Sequence, residues 1–143
     1  MRRDIHGSIA AGLAILTFSA AAAAAELFQA DSKWLVNAKM DVVVREVERR
    51  PRSSVVEIEV NSRGSSVGGS FFIMCSLRQL ARLRGDYRHI VKVDDQPKPG
   101  QMLVGFLRSP DDDLRQVGPE FQVLASRDIL HLDQFAELCA SMK

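Results

Sequence analysis

The sequence contains one motif that points to nucleophilic catalysis. Gly64–Gly68 reads Gly-Ser-Ser-Val-Gly and matches the G-x-S-x-G pattern of a hydrolase nucleophile elbow, with Ser66 as the nucleophile. An aspartate and His131 follow in the chain order that such enzymes use. The elbow requires a helix directly after the serine and a parallel sheet, whereas the sequence predicts a helix from Ser70 and hairpin-like strand pairs. A small serine hydrolase using Ser66 is therefore an alternative to the leading interpretation.

Two further groups of residues are candidates for ligand binding. Gly68-Gly69-Ser70 precedes the predicted helix, and free N–H groups at a helix start can hold an anion, so an anion or small-ligand site at Gly68–Ser70 is a second alternative. Asp111–Asp113 lack the alternating oxygen ligands of a calcium loop and are expected to be solvated. His131 lies between two aspartates but has no second ligand motif. The sequence thus predicts no catalytic residue, no metal and no cofactor, and an enzyme is the less expected class.

The first 25 residues have the layout of a secretory signal peptide. Arg2 and Arg3 precede an uncharged apolar run that begins at Ile9, and Ala23 and Ala25 form an Ala-x-Ala cleavage site. The apolar run is 17 residues long and rich in alanine, which is at the lower limit for spanning a bilayer. We therefore predict cleavage rather than an uncleaved anchor, and a periplasmic or secreted, soluble protein with no stable membrane insertion.

The mature chain, residues 26–143, is long enough for a single domain. Removing 25 residues from 143 leaves 118, which supports one core and not two. The full chain has 19 basic and 18 acidic residues, and the signal contains Arg2, Arg3 and Asp4, so 17 of each remain. A neutral domain lacks the excess charge that drives binding to nucleic acid or to anionic lipid. We expect neither as a partner.

Cys75 and Cys139 are the only cysteines of the chain. In an oxidising compartment an even pair most simply forms one disulfide, although reduced thiols and redox or intermolecular chemistry are the alternatives. The bridge would close a loop of about 64 residues, which the chain-entropy model values at about 4 kcal/mol. The predicted disulfide therefore depends on the predicted export, because disulfides persist in oxidising compartments outside the cytosol.

Hydrophobic periodicity predicts the element order β-β-α-β-β-(β)-α in the mature chain. Alternating apolar and acidic residues over 56–60 indicate a half-exposed strand, which is expected to form a hairpin with the valine-rich run over 40–48. A helix is predicted from Ser70, its N-cap, to about Arg84, with a strand over 70–74 and a later helix start as the alternative. The remaining predicted elements are strands over 87–94 and 102–107, a surface loop over 109–120, a short strand over 121–124 and a last helix capped by Asp133.

This order predicts an α+β domain with a mainly antiparallel four- to five-stranded sheet, one long helix across a face and a short C-terminal helix. Phe28, Trp34 and Leu35 are expected to anchor residues 26–39 to it. The densest basic cluster consists of Arg78 and Arg82 on the exposed helix side with Arg84 and Arg88 nearby. Such a cluster indicates either a solvated face or a surface for an acidic partner.

The segment 75–94, a helix with a cysteine that leads through Gly85-Asp86-Tyr87 into a strand, resembles small, mostly uncharacterised bacterial envelope proteins. Many of those are lipoproteins, whereas residues 1–25 contain no cysteine for lipid attachment. The resemblance implies an α+β fold and an envelope location, and it supplies no catalytic residue. The leading prediction is a non-enzymatic interaction domain with a protein partner in the envelope.

Overall fold

The computed structural model describes residues 25–36, 38–62 and 66–142. The predicted signal peptide, apart from Ala25, lies outside the described residues, as do Gly64 and Ser65 of the G-x-S-x-G motif. The remainder forms one sheet with helices, which agrees with the predicted α+β class.

The sheet has six strands and every pairing in it is antiparallel. Its spatial order is β1-β2-β3-β5-β4-β6, so β1 and β6 form the two edges. The prediction of four to five strands was wrong because β1 and β6 are too short to show a periodicity. The strands are β1 Gln29–Asp31, β2 Asp41–Arg49, β3 Ser53–Ser62, β4 His89–Asp94, β5 Gln101–Leu107 and β6 Leu130–His131, and the helices are α1 Ser66–Gly85, α2 Leu114–Val117 and α3 Ala136–Ser141.

The hairpin predicted from the valine-rich runs is formed by β2 and β3. Its turn is closed by the Arg50 N–H, which donates to the Ser53 carbonyl over 2.9 Å. Val42 and Val44 face one side of the sheet and are fully or nearly fully buried there. Val43 between them is also buried, so this part of β2 is covered from both sides. In β3 burial decreases along the strand, from Val56, which is fully buried, to Val60, which is exposed.

One face of the sheet packs against α1. Leu77, Leu80 and Ala81 of the helix are fully buried and share a hydrophobic cluster with Val44 and Phe106 of the strands. Burial of these apolar residues, which recur at helical spacing, is the main contribution to the stability of α1, because burial of an apolar face stabilises a helix more than residue propensity does. The helix ends at Gly85, whose φ of +155° favours glycine, and Asp86 follows with φ +53°.

The helix begins at Ser66, four residues before the predicted start at Ser70. Gly68, Gly69 and Ser70 therefore lie inside its first turns rather than ahead of it. A Cβ at Gly69 would lie 3.9 Å from Cγ2 of Val42, so this part of the helix runs close above β2. Packing on the sheet outweighs the low helix propensity of the two glycines.

The opposite face of the sheet is covered by residues 114–129. Val117 and Phe121 of this segment are buried against Val55, Leu103 and Leu107. The fit is tight over Gly105, since a Cβ there would lie 2.6 Å from Cγ1 of Val117 and 2.9 Å from Cζ of Phe121. The predicted surface loop and the predicted strand over 121–124 were therefore wrong, because α2 and a 3-10 turn over Pro119–Phe121 form this layer instead. Strand β5 is covered on both faces, as its continuous apolar run indicates.

A buried ionic network joins the sheet to the last turn of α1. The Glu46 carboxylate has no exposed surface and accepts hydrogen bonds from Ser54 Oγ at 2.7 Å and from Nε and Nη2 of Arg49 at 3.0 and 2.7 Å. Arg84 Nη1 lies 3.6 Å from Glu46 Oε1. Burial opposes ionisation of Glu46, but the hydrogen bonds from Arg49, Phe28 and Ser54 outweigh it, so its pKa lies below the ordinary value.

Arg84 is almost fully buried, with 7% of its side chain exposed. Its guanidinium donates to the main-chain carbonyls of Arg50 and Ser53 in the β2–β3 turn and stacks 5.0 Å from the ring centroid of Phe106. The sequence grouped Arg84 with the basic cluster around Arg78 and Arg82, whereas the structure buries its side chain. Its partners lie more than thirty residues earlier in the chain, so local periodicity carries no sign of them.

Candidate functional site

A groove of about 800 Å³ runs between the β1 edge of the sheet and helix α1. One wall consists of β1 and the 3-10 turn that follows it, and the other wall is the outer side of α1. The disulfide and the end of α3 close it at one side. The side chains that determine its character are Trp34, Phe72, Arg78, Arg82, Leu83 and Met142.

The groove exposes large apolar side chains. Trp34 and Leu83 line it with 68% of each residue accessible to solvent. Phe72 and Leu35 continue the apolar surface into the core cluster. The prediction that Trp34 anchors the N-terminal segment was wrong, whereas Phe28 does serve as an anchor and is buried. An exposed tryptophan and an exposed leucine that line the same concave surface are typical of a binding site.

The disulfide lies at the groove. The Sγ atoms of Cys75 and Cys139 are 2.10 Å apart, as the predicted disulfide requires, and their Cα atoms are 5.4 Å apart. Met142 Sδ lies 3.8 Å from Cys75 Sγ, so the last described residue also packs here. Because no residue of α3 is fully buried, the disulfide is the main fixed connection between α3 and α1.

Two arginines of α1 face the groove without an acidic partner. Arg78 and Arg82 are one helical turn apart, and among the described residues no carboxylate lies within 4 Å of either guanidinium. A smaller cavity of about 130 Å³ continues from them towards Arg88, which pairs with Asp133 at 3.4 Å. The basic cluster predicted from the sequence is thus divided: two arginines face the groove, Arg88 is paired at its end, and Arg84 is buried.

The edge of β1 presents main-chain hydrogen-bonding groups. The N–H of Phe28 donates to the Glu46 carboxylate at 3.0 Å and its carbonyl accepts from the Glu46 N–H at 2.8 Å, so both groups point towards β2. In an extended chain the next residue points the opposite way, which directs the N–H and C=O of Gln29 outwards. Within the described part of the chain no strand pairs with this edge.

His89 and His131 meet across the β4–β6 pair. Their rings stack with centroids 4.4 Å apart, and His131 Nε2 lies 3.6 Å from Asp133. Burial and, after it, the charge of His131 lower the pKa of His89, and the buried His89 Nδ1 has no hydrogen-bond partner. Residues 25–36, 38–62 and 66–142 contain no group of three or more histidine, cysteine, aspartate or glutamate side chains placed to hold a metal.

The residues that match a hydrolase pattern do not converge. Ser66 is the first residue of α1, and His131 pairs with His89 just beyond the end of that helix. A helix of 20 residues is about 30 Å long, so the helix start and His131 lie at opposite ends of it. The sheet is also antiparallel rather than parallel. The helix does begin at the serine of the motif, contrary to the sequence prediction, but His131 is not brought to it.

Two of the three aspartates over 111–113, Asp112 and Asp113, have structural roles. Asp112 accepts hydrogen bonds from the Arg108 N–H at 2.7 Å and from Arg52 at 3.0 Å, and Asp113 caps α2 through the Arg115 N–H. They hold the segment that covers the second face of the sheet.

In the described part of the chain, no helix is both long enough and apolar enough to cross a membrane. Comparison with protein families, with curated proteins and with solved structures finds no match for this chain. The exposure of Trp34 and the position of β1 at the edge of the described sheet were not predicted from the sequence. Trp34 is followed directly by the apolar residues Leu35 and Val36, so its sequence context does not indicate exposure.

Proposed function

We propose that the protein is an exported, non-enzymatic interaction domain, soluble after removal of residues 1–25, that binds a protein partner in the envelope through the groove. In this proposal α1 is the long helix lying across one face of the sheet, and its outer side forms one wall of the binding surface. The observation that carries the proposal is the exposure of Trp34 and Leu83 in one concave surface. Tryptophan and arginine are the residues most enriched at the energetic centres of protein interfaces, and both line this groove.

The disulfide and the N-terminal sequence support the location. Disulfides persist in oxidising compartments, and Cys75–Cys139 fixes the C-terminal helix at the groove. The layout of residues 1–25 is that of a secretory signal. Both observations favour a periplasmic or secreted protein.

Site-specific photo-crosslinking in intact cells tests this function. A crosslinking amino acid is placed at Leu83 in the groove, and the same amino acid at Val123 serves as the matched control. Val123 is 86% exposed and belongs to the segment on the other face of the sheet. We expect a discrete adduct with one envelope protein from position 83 and not from position 123. The purified pair should form the same adduct, and Trp34→Ala should reduce its yield by about tenfold.

The same adducts from both positions, or no adduct from position 83, would contradict the proposal. Cell fractionation and N-terminal sequencing test the location separately, with Glu26 as the expected first residue of the exported form.

A further inference from the structure

We infer that the groove accepts an extended polypeptide segment with at least one acidic residue, which pairs with β1 as a seventh strand and places a carboxylate against Arg78 and Arg82. This inference rests on the proposed function, and it specifies the chemistry and conformation of the partner. Three independent features of the groove support it: a strand edge, an unfilled volume on one side of that edge, and two cationic side chains above it.

The strand edge supplies main-chain recognition. The two hydrogen bonds between Phe28 and Glu46 fix the direction of every main-chain group in β1, so the N–H and C=O of Gln29 and the N–H of Asp31 point away from β2. An extended segment laid along β1 would satisfy these groups as the next strand of the sheet. This is the mode in which many domains bind peptides, with main-chain bonds giving affinity and side-chain pockets giving specificity.

The groove lies where the side chains of such a strand would point. Ala30 faces α1, is buried in the cluster beneath the helix, and also lines the groove. Alternate side chains of an added strand would point to the same side as Ala30 and enter the groove under α1. There they would contact Phe72, Leu83 and Trp34, so large apolar side chains are expected at alternate positions of the segment.

The two arginines favour a carboxylate at one position of the segment. Arg78 and Arg82 are on the groove side of α1, and although Asp31 and Asp86 also line the groove, no described carboxylate lies within 4 Å of either guanidinium group. Arginine binds carboxylates through paired hydrogen bonds, which are strengthened where an apolar surface excludes water. A carboxylate on the groove side of the added strand would meet this pair of guanidinium groups.

A second copy of this chain fits the groove less well. A copy paired edge to edge through its own β1 would present Phe28 and Ala30 on the groove side. Both side chains are already buried in the core of their own domain and are not available to fill another groove. The occupant is therefore a segment of a different protein, with free side chains on both of its faces.

A random peptide library displayed on phage is the probe for this inference. The target is the exported protein with its disulfide intact. The enriched peptides are sequenced, and one is synthesised with a fluorophore for measurement of its dissociation constant. We expect enriched sequences with apolar residues at alternate positions and at least one Asp or Glu in phase with them.

Two pairs of variants separate the parts of the inference. The double variant Arg78→Gln and Arg82→Gln should weaken binding at least tenfold, and Arg127→Gln, at an exposed arginine outside the groove, should leave it unchanged. Gln29→Pro removes the outward N–H without removing a bond to β2 and should weaken binding at least tenfold, while Gln29→Ala should have little effect. In the wild-type protein, the amide hydrogens of Gln29 and Asp31 should exchange more slowly when the peptide is bound. This last measurement does not depend on the folding of any variant.

The outcomes distinguish this inference from the proposed function. Peptides that lose affinity with Trp34→Ala, but not with the arginine pair or with Gln29→Pro, would leave the groove as a protein-binding site and overturn the acidic strand. Unchanged exchange at Gln29 and Asp31 on binding would overturn strand pairing in the same way. Failure to enrich any peptide that depends on Trp34, together with no adduct at position 83, would overturn both.

Discussion

Replacement of Glu46 by glutamine tests the buried network that holds β1 to the sheet. The carboxylate accepts two hydrogen bonds on each oxygen: Ser54 Oγ and Arg49 Nε donate to Oε1, and the Phe28 N–H and Arg49 Nη2 donate to Oε2. Glu46→Gln keeps the shape of the side chain but converts one oxygen into an N–H₂ group. The two donors that bonded to the replaced oxygen then face the new N–H₂ group, which is itself a donor. Arg49 and Arg84 also lose the buried negative charge that balances theirs.

The expected cost is about 3 kcal/mol of unfolding free energy, at the lower end of the range for removing one partner of a buried ion pair. For a domain of this size, that loss corresponds to a fall in Tm of about 12 °C. Thermal and urea unfolding followed by circular dichroism measure both values. Glu48→Gln is the matched control, since Glu48 lies two residues away with half of its side chain exposed and pairs with Arg50 at the surface; we expect a change of less than about 0.5 kcal/mol.

The pH dependence of the two proteins provides a second measurement. The pKa of Glu46 is below its ordinary value of 4.5 in the folded protein. Its contribution to stability is therefore complete above that pH and is lost as the pH falls through the folded pKa. The difference between wild type and Glu46→Gln should shrink in acid. A Glu46→Gln protein as stable as Glu48→Gln at pH 7 would refute the assignment of this network as an anchor of β1.

Three further predictions concern other parts of the fold. The double variant Cys75→Ser and Cys139→Ser should lose about 4 kcal/mol, from the 64-residue separation, in chemical unfolding. Gly105→Ala should destabilise the protein by about 1–3 kcal/mol because the added methyl group overlaps the layer above it, whereas Gly69→Ala should stabilise it by about 0.5 kcal/mol. The pKa of His89 in the folded protein is below 6.5, so the contribution of the neutral imidazole to stability is complete above pH 6.5 and is lost as the pH falls. The loss of stability in acid should therefore be smaller in His89→Asn.

Each of these predictions has a contradicting result. Equal stability of the oxidised wild type and the double serine variant would exclude the disulfide as a constraint on α3. A Gly105→Ala protein as stable as Gly69→Ala would contradict the tight packing over β5. The same slope of stability against pH from 7 to 5 in wild type and His89→Asn would contradict the depressed pKa of His89.

Local periodicity was sufficient to predict the centre of the sheet. The β2–β3 hairpin and β5 contain runs of apolar residues whose spacing is set by their own burial, so each run indicates its own structure. The disulfide was predictable from the cysteine count and the expected compartment, because two cysteines allow a single connectivity. The strands are indicated by their own residues, and the disulfide requires only that its two cysteines be the only ones available.

The groove was not predictable by the same reasoning. Residues 29–31 form a strand because Glu46 and Ser32 fix their main-chain bonds to β2, and neither contact leaves a periodic pattern in the sequence. Arg84 has the same charge and helical context as Arg82, yet its partners in the β2–β3 turn bury it while Arg82 faces the groove. The sequence shows which residues are basic, but only the long-range contacts decide which of them remain available.

The groove is built from residues that are far apart in the sequence, and this arrangement fixes the moment at which it can first exist. One wall contains Gln29–Asp31 and the far side contains Cys139 and Met142, with more than one hundred residues between them in sequence. During synthesis the wall that contains Gln29–Asp31 emerges more than one hundred residues before Cys139. The groove is therefore complete only after Met142 has been synthesised and Cys139 has been oxidised onto Cys75. Chains truncated before Cys139 lack the disulfide and this side of the groove.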